Sequence, residues 1–191
     1  MIRSYILEKT NQMPVHTDMR RVFDALGGKQ IDYNWLVTDL VYYADLRRSA
    51  ANELLSGESE LDEDQLSGWP TEALAADGAP IWIAGDELTR IIEGNDLQFV
   101  WGVFSGFRKN MEINLETLSV IPYADGNPDL WGAQPRIQHP LAEIEIVCWD
   151  STATLFFSED EELAERFRQH FTDCEDLAGC NTRAKGEREP I

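Results

Sequence analysis

The sequence predicts one α+β domain in which a mixed or antiparallel sheet is covered by three or four helices. Apolar residues form 43% of the 191 residues, and six Trp, eight Phe and five Tyr can build a core without disulfides. Short apolar runs typical of strands alternate with segments in which apolar residues recur at helical spacing. A chain of this length is typical of one domain, and we expect it over residues 1–180, followed by a flexible polar tail over residues 181–191.

The first third of the chain predicts a strand, a helix and a second strand. Residues 2–8 are typical of a strand, and Thr17 is the expected N-cap of a helix that ends at Gly27–Gly28. The apolar face of this helix is formed by Met19, Val22, Phe23 and Leu26. Residues 31–43 are rich in β-branched and aromatic residues, which favours a strand or a bent strand pair, and residues 46–55 predict a short helix.

An acidic loop is expected over residues 56–79. Ser, Gly, Asp and Glu dominate this stretch, and its composition suggests at most a turn of helix near residues 60–66. A loop of this length inside a domain is typically functional or disordered. We do not expect it to join two domains, because too little chain precedes it to form a separate large core.

The middle of the chain predicts a strand, a helix and another strand. Residues 80–83 form a short apolar run, and residues 85–94 carry a helical stripe between two glycines. Residues 97–105 are apolar on both faces, which is typical of a central strand. Residues 113–121 alternate weakly and suggest a further strand, whereas residues 123–140 contain three Pro and two Gly and predict a loop.

A hairpin and a helix are predicted near the C-terminus. Residues 143–148 alternate between a mostly acidic face and an apolar face, and residues 154–157 return as a second strand. Ser158 and Glu161 have the spacing of a capping box at the start of a helix. The apolar stripe of that helix consists of Leu163, Phe167 and Phe171.

The segment Gly-Val-Phe-Ser-Gly at residues 102–106 raises the question of a catalytic serine. A nucleophile elbow places one residue between the serine and each glycine. Here Ser105 directly precedes Gly106, and Gly102 is three residues away, so the spacing does not fit. We therefore expect a buried strand in which the glycines leave room for a bulge, a neighbouring backbone or a large side chain such as Trp82.

A second candidate for chemistry is a group of one histidine and three acids near the predicted hairpin. His139 could act as a base, and Glu143 and Glu145 on one strand face could share a proton or hold a cation. With Asp150, these residues define the alternative function, a small hydrolase. The competing interpretation is structural, with both glutamates on a solvated sheet face and Asp150 in a turn.

The sequence predicts no metal and no cofactor. His170, Cys174 and Cys180 are the best local zinc ligands, but neither a Cys-x-x-Cys pair nor a second histidine accompanies them. Residues 58–69 lack the central glycine of a calcium loop, and the chain contains no Gly-x-Gly-x-x-Gly or Walker motif. Three cysteines are also too few for a disulfide framework.

The charge of the chain restricts its partners. The net charge is −19, and residues 51–100 alone carry 12 acidic residues and one basic residue. Phosphate contacts require clustered Lys and Arg, so we do not expect nucleic acid as a ligand. No signal peptide and no membrane span are recognisable, so we expect a cytoplasmic protein that does not enter the membrane.

An acidic patch within the predicted loop is the leading candidate for binding. It comprises Glu58, Glu60, Asp62, Glu63 and Asp64, and Trp69 in the same loop could anchor a contact. Such a surface can steer and hold a basic protein partner. We therefore expect a non-enzymatic binding protein. The sequence also permits a homo-oligomer, in which the acidic surface would serve solubility alone.

Two segments resemble a family of small uncharacterised bacterial proteins. They read PIWIAGDELTRIIEGNDLQFVWGVFSGF and HPLAEIEIVCWDSTATLFFSEDEELAERF, and the resemblance spans about residues 80–180. The family offers no catalytic residue to transfer. In being small, acidic, cytoplasmic and single-domain, the chain is also similar to the immunity proteins of bacterial toxin systems, which implies a protein that neutralises a toxin. The acidic loop matches neither group.

Overall fold

The computed structural model describes residues 2–8, 17–44, 79–95 and 97–186. These residues form seven strands, namely β1 (Arg3–Glu8), β2 (Tyr33–Ala44), β3 (Ile81–Ala84), β4 (Leu97–Arg108), β5 (Ile144–Trp149), β6 (Ala153–Ser158) and β7 (Glu175–Asp176). They also form four α-helices, namely α1 (Met19–Ala25), α2 (Gly85–Gly94), α3 (Glu161–His170) and α4 (Leu177–Gly186). The predicted α+β fold class is confirmed. The predicted helix at residues 46–55 lies outside the described residues, as does the predicted acidic loop except for its last residue.

The seven strands form one antiparallel sheet in the order β3-β2-β4-β5-β6-β1-β7. The hairpin between β5 and β6 turns at Trp149–Thr152, where the Thr152 N–H donates to the Trp149 carbonyl at 2.9 Å. Both central residues are left-handed, with φ of 46° at Asp150 and 54° at Ser151. This geometry matches the right-handed twist of the paired strands. It also confirms that Asp150 is a turn residue.

Three of the four helices in the described residues cover one face of the sheet. The apolar stripes of α1, α2 and α3 pack there on the side chains that alternate inward from the strands, including Trp35, Phe104 and Phe156. Phe167 of α3 stacks on Phe156 with ring centroids 4.2 Å apart. The predicted buried stripe of Leu163, Phe167 and Phe171 is confirmed, with each residue at most 3% exposed.

A largely irregular segment covers the other face. We call residues 109–143 the covering segment; it runs from the end of β4 to the start of β5 and packs with α4 on Leu36, Phe107 and Val147. Pro and Gly restrict the regular structure of this segment to two short 3₁₀ turns, Leu115–Thr117 and Pro128–Trp131. The predicted strand at residues 113–121 is therefore wrong.

Side chains of β2 fasten the covering segment to the sheet. Thr38 Oγ1 donates to the carbonyl of Pro122 at 2.7 Å. Asp39 lies at an irregularity in the pairing of β2 with β4, and its carboxylate accepts from the backbone N–H groups of Ala124 and Asp125 at 2.6 and 2.9 Å. Its φ of 51° is left-handed. Residues 33–44 thus form one strand with a bulge, whose extra residue re-aims an acid towards the covering segment.

Three predicted chain boundaries differ from the structure. The N-cap of α1 is Asp18 rather than Thr17, and the N-cap of α3 is Asp160 rather than Ser158. An aspartate directly before the first turn reaches the exposed N–H groups better than the earlier hydroxyls do. Residues 181–186 are helical rather than frayed, because Asn181 anchors α4. None of the helices in the described part of the chain is both long enough and apolar enough to cross a bilayer.

Candidate functional site

Ser105 and Glu145 meet at the centre of the sheet, beneath the covering segment. They are partners in the register of β4 and β5, and neither has any exposed surface (0%). The Ser105 hydroxyl donates to Glu145 Oε2 at 3.0 Å. The predicted buried strand is confirmed, and Ser105 lies within that strand rather than on a sharp exposed turn. The large side chain that approaches Gly106 is Trp35 and not Trp82, since the Trp35 ring would lie 3.3 Å from a Cβ atom at that position.

Gln138 connects Glu145 to the covering segment. Its backbone N–H lies 3.3 and 3.2 Å from the two carboxylate oxygens, and its Nε2 donates to Oε1 at 3.3 Å. The Gln138 Oε1 in turn accepts from Asn127 Nδ2 at 2.9 Å and from the Tyr123 N–H at 3.0 Å. We call Ser105, Glu145, Gln138 and Asn127 the buried acid network. It joins two central strands to two distant points of the covering segment.

Burial raises the pKa of Glu145 to about 7, from an ordinary value of 4.5. Loss of hydration is the larger effect, because the charged carboxylate has no contact with water. Hydrogen bonds from Ser105, Gln138 and the His139 backbone act in the opposite direction, since they stabilise the charged form. The site therefore holds a carboxyl group that exchanges its proton near neutral pH.

His139 lies beside this network but is used for packing and for a turn. It is 4% exposed, and its ring lies edge-on to Phe107 with centroids 4.9 Å apart. Its Nδ1 accepts from the backbone N–H of Leu141 at 3.3 Å. Burial lowers the pKa of the imidazole, which favours the neutral ring. The lone pair that a general base would need is thus engaged in the local turn.

Glu143 and Asp150 lie away from Glu145. Glu143 is the last residue before β5 and forms an ion pair with Arg108 at the surface. Asp150 is exposed at the opposite end of β5, in the hairpin turn. The face that carries Glu143 and Glu145 was expected to be solvated, and this expectation is wrong for Glu145, because the covering segment shields it. Of the four candidate hydrolase residues, only His139 and Glu145 are therefore neighbours, and Glu143 and Asp150 lie in separate environments.

The buried acid network has the groups of an acid–base pair but no access for a substrate. Ser105 and Glu145 would reach a ligand only if the covering segment moved away. In the observed geometry the network is structural, since the Glu145 carboxylate receives donors from both sides of the interface, namely Ser105 of the sheet and Gln138 of the covering segment. Buried polar groups that are bonded in this way fix one arrangement of the chain.

The cysteines and His170 do not form a metal site in the described residues. No three His, Cys, Asp or Glu side chains converge there as ligands. Burial raises the pKa of Cys148 to about 12 and that of Cys174 to about 11, so both thiols keep their protons at neutral pH. Cys180 is directed towards Glu175, at 3.5 Å. Each cysteine thus has a local environment that explains it without a metal.

An open groove of about 400 Å³ lies between β1 and α3. Its charged lining is already paired, because Arg3 bonds Glu161 at 3.3 Å and Arg168 lies 3.9 Å from Glu165. Tyr5 also lines the groove, and its ring stacks on Phe167. The groove therefore presents little net charge to a ligand.

The predicted binding residues lie outside the described part of the chain. This applies to Trp69 and to the acidic patch of Glu58, Glu60, Asp62, Glu63 and Asp64. Sequence reasoning also missed Gln138 and Asn127, because nothing in the loop composition marks a residue whose partner is a buried acid. The one available signal was Glu145 itself, an acid in a strand that is otherwise strongly apolar.

Comparisons with protein-family models, with curated proteins and with solved structures found no match. The resemblance to uncharacterised bacterial proteins and to immunity proteins therefore stays a prediction.

Proposed function

We propose that the protein is a non-enzymatic protein-binding module of the immunity type, which acts in the cytoplasm and neutralises a basic toxin or enzyme by covering its active site. The observation that carries this proposal is the net charge of −19. A surface with such an excess of acid attracts basic partners over distance and repels other acidic surfaces. Nucleic acid and anionic lipid surfaces are disfavoured for the same reason.

The pairing of surface charges also favours a basic partner. Among the described residues, eight ion pairs engage a basic side chain with an acid. Arg20 donates to the backbone carbonyls of Ile92 and Asn95. Most described cations are thus already occupied, whereas many exposed acids, such as Glu87 and Glu93, belong to none of these pairs. The charge that remains for a partner is negative.

The proposed contact is the acidic patch, with Trp69 as its anchor. Carboxylates of the patch would pair with Lys and Arg around the active site of the partner, and the indole would fill an apolar pocket there. Association driven in this way is fast at low salt and slows as salt screens the charges. The hydrolase alternative gains no support from the described geometry, because its four residues do not converge.

Capture from a lysate of the source cells, with mass spectrometry of the eluate, tests the proposal. We expect one basic protein to be retained at low salt and released at high salt. The decisive bait is a variant in which the five acids of the patch are changed to their amides. This variant should capture at least tenfold less partner, since several exposed ion pairs contribute about 0.2–1 kcal/mol each.

A matched variant controls for overall charge. Changing five exposed acids elsewhere to amides alters the net charge equally; suitable positions are Asp24, Glu87, Glu93, Glu112 and Glu116. This bait should still capture the partner. Equal capture by all three baits would show that the acidic patch is not the contact, and the absence of any salt-sensitive basic protein would refute the binding proposal itself.

A further inference from the structure

Three tryptophans cluster at one end of the sheet, on the face of the covering segment, with Trp149 in contact with the other two. Trp101 and Trp149 come from β4 and β5, with ring centroids 5.0 Å apart and planes at 74°. Trp131, from the second 3₁₀ turn, meets Trp149 at 4.8 Å and 82°. Each indole is half-buried, and Val41, the register partner of Trp101, is 45% exposed. Apolar surface thus extends from the core to solvent here.

Two acids lie next to these indoles in the chain. Asp150 follows Trp149, and Asp129 shares the 3₁₀ turn of Trp131. Both are exposed, and neither forms an ion pair with another residue of the described ranges. We call Val41, Trp101, Trp131, Trp149, Asp129 and Asp150 the tryptophan surface.

The backbone on both sides of Trp131 is anchored by α4. The buried side chain of Asn181, which is 5% exposed, donates from Nδ2 to the carbonyl of Leu130 at 3.0 Å and to that of Gly132 at 2.9 Å. The residues on both sides of the indole are therefore fixed by one amide from α4. A backbone that is fixed before binding loses little conformational entropy when a partner arrives.

Strained backbone lies close to the same surface. In the described ranges, the non-glycine residues with positive φ are Asp39, Asp150 and Ser151. Asp39 is two residues before Val41, and the Ser151 N–H bonds the carbonyl of Val100, next to Trp101. Left-handed conformations are costly for residues with a Cβ, and they concentrate where a surface is shaped for function.

We propose that the tryptophan surface docks an arginine-bearing segment of a basic protein partner. Charge complementarity selects this occupant, because the chain carries a net charge of −19 and the two acids beside the indoles have no described cation. A guanidinium can stack on an indole face and pair with a neighbouring carboxylate at the same time, which an ammonium does less well. The inference rests on the proposed function only in taking the partner to be basic, and it places a contact outside the acidic patch.

Two-dimensional NMR of the ¹⁵N-labelled protein tests this inference, with an arginine-rich and a lysine-rich peptide of equal length and charge as probes. The six Trp give six indole N–H signals, which single Trp→Phe variants assign. We expect the signals of Trp101, Trp131 and Trp149 to shift and saturate, and the arginine peptide to bind about threefold more tightly or better. The fully buried Trp35 should not respond.

Charge variants provide the second measurement. The double variant Asp129→Asn/Asp150→Asn should weaken binding of the arginine peptide roughly fivefold, as expected for the loss of two exposed pairs. The double variant Asp24→Asn/Glu93→Gln changes the net charge equally on α1 and α2, across the sheet, and should retain the wild-type affinity.

The outcomes separate this inference from the proposed function. If backbone signals shift while the three indole signals do not, the tryptophan surface is not a docking site, and the acidic patch remains the proposed contact. If neither peptide shifts any signal, the inference is overturned, and the capture from a lysate still decides the proposed function. If the indole signals change on dilution without peptide, a second copy of the chain covers this face and the inference is overturned.

Discussion

Changing Glu145 to glutamine should remove a pH-dependent contribution to the free energy of unfolding. The folded-state pKa of about 7 lies above the ordinary value of 4.5, so the fold binds a proton that the unfolded chain releases. The stabilisation from this group is complete below about pH 4.5 and is lost as the pH rises through about 7. The full difference corresponds to about 3 kcal/mol.

Solubility limits the range over which this can be measured. The isoelectric point is about 4.3, so the protein carries little net charge near the lower end of the titration. From about pH 5.5 to about pH 8.5, linkage still predicts a loss of about 2 kcal/mol from Glu145. The introduced amide can present its oxygen to Gln138 and its NH₂ group to the Ser105 oxygen, so the variant should fold.

Urea unfolding monitored by tryptophan fluorescence measures the effect, because urea carries no charge and leaves the electrostatics unscreened. The informative quantity is the free energy of unfolding of the wild type minus that of the variant, which should fall by about 2 kcal/mol over this range. Glu143→Gln removes an equal charge outside the network and serves as the control. A difference for Glu145→Gln that stays flat or rises with pH would show that the hydrogen bonds outweigh burial, and the reasoning would be wrong.

Three further substitutions and one thiol reaction test the packing and the backbone. Ser151→Gly should raise the free energy of unfolding by about 1 kcal/mol, because glycine adopts the left-handed turn conformation without strain; an unchanged or lower value in urea unfolding would contradict this. Gly106→Ala should lower the free energy of unfolding by about 1–3 kcal/mol, since the new methyl group would overlap the Ile144 side chain. The control Gly94→Ala meets no atom within 4 Å and should raise the free energy of unfolding by about 0.5–1 kcal/mol. Cys148 should react with a thiol reagent only as the protein unfolds, because it is fully buried with a pKa of about 12; mass spectrometry showing rapid labelling in native buffer would refute this.

The parts of the fold that repeat a local pattern were predictable. The helical spacing of Leu163, Phe167 and Phe171 places α3 on the sheet, and the two-sided apolar run through Phe104 identifies a central strand. Such patterns depend only on neighbours in sequence. The α+β class follows from counting them.

The covering segment was not predictable, because its structure depends on distant partners. Gln138 and Asn127 read as loop residues, yet Gln138 binds Glu145 and both help to hold the segment on the sheet. The face of β5 that carries Glu145 was wrongly predicted to be solvated, because an acid among alternating apolar residues normally indicates a face that is exposed to water. A loop that shields a strand face leaves no periodic signal in the sequence.

The predicted helix boundaries were wrong for a different reason. Thr17 and Asp18 are both acceptable N-caps, and only the chain direction at the start of α1 selects Asp18, whose carboxylate accepts from the Arg20 N–H at 3.1 Å. The helical conformation of residues 181–186 likewise depends on the contact of Asn181 with the 3₁₀ turn at Trp131. Tertiary contacts decide such ends, and propensity alone does not.

The central claim is that an acidic surface of this chain holds a basic protein partner. The association rate constant of the captured partner, measured by stopped-flow fluorescence over a series of salt concentrations, tests it most directly. The account predicts a rate that falls at least about tenfold from low to high salt for the wild type, and a slower, less salt-sensitive rate for the variant with a neutralised acidic patch. Rates that are equal for both proteins and independent of salt would contradict the claim.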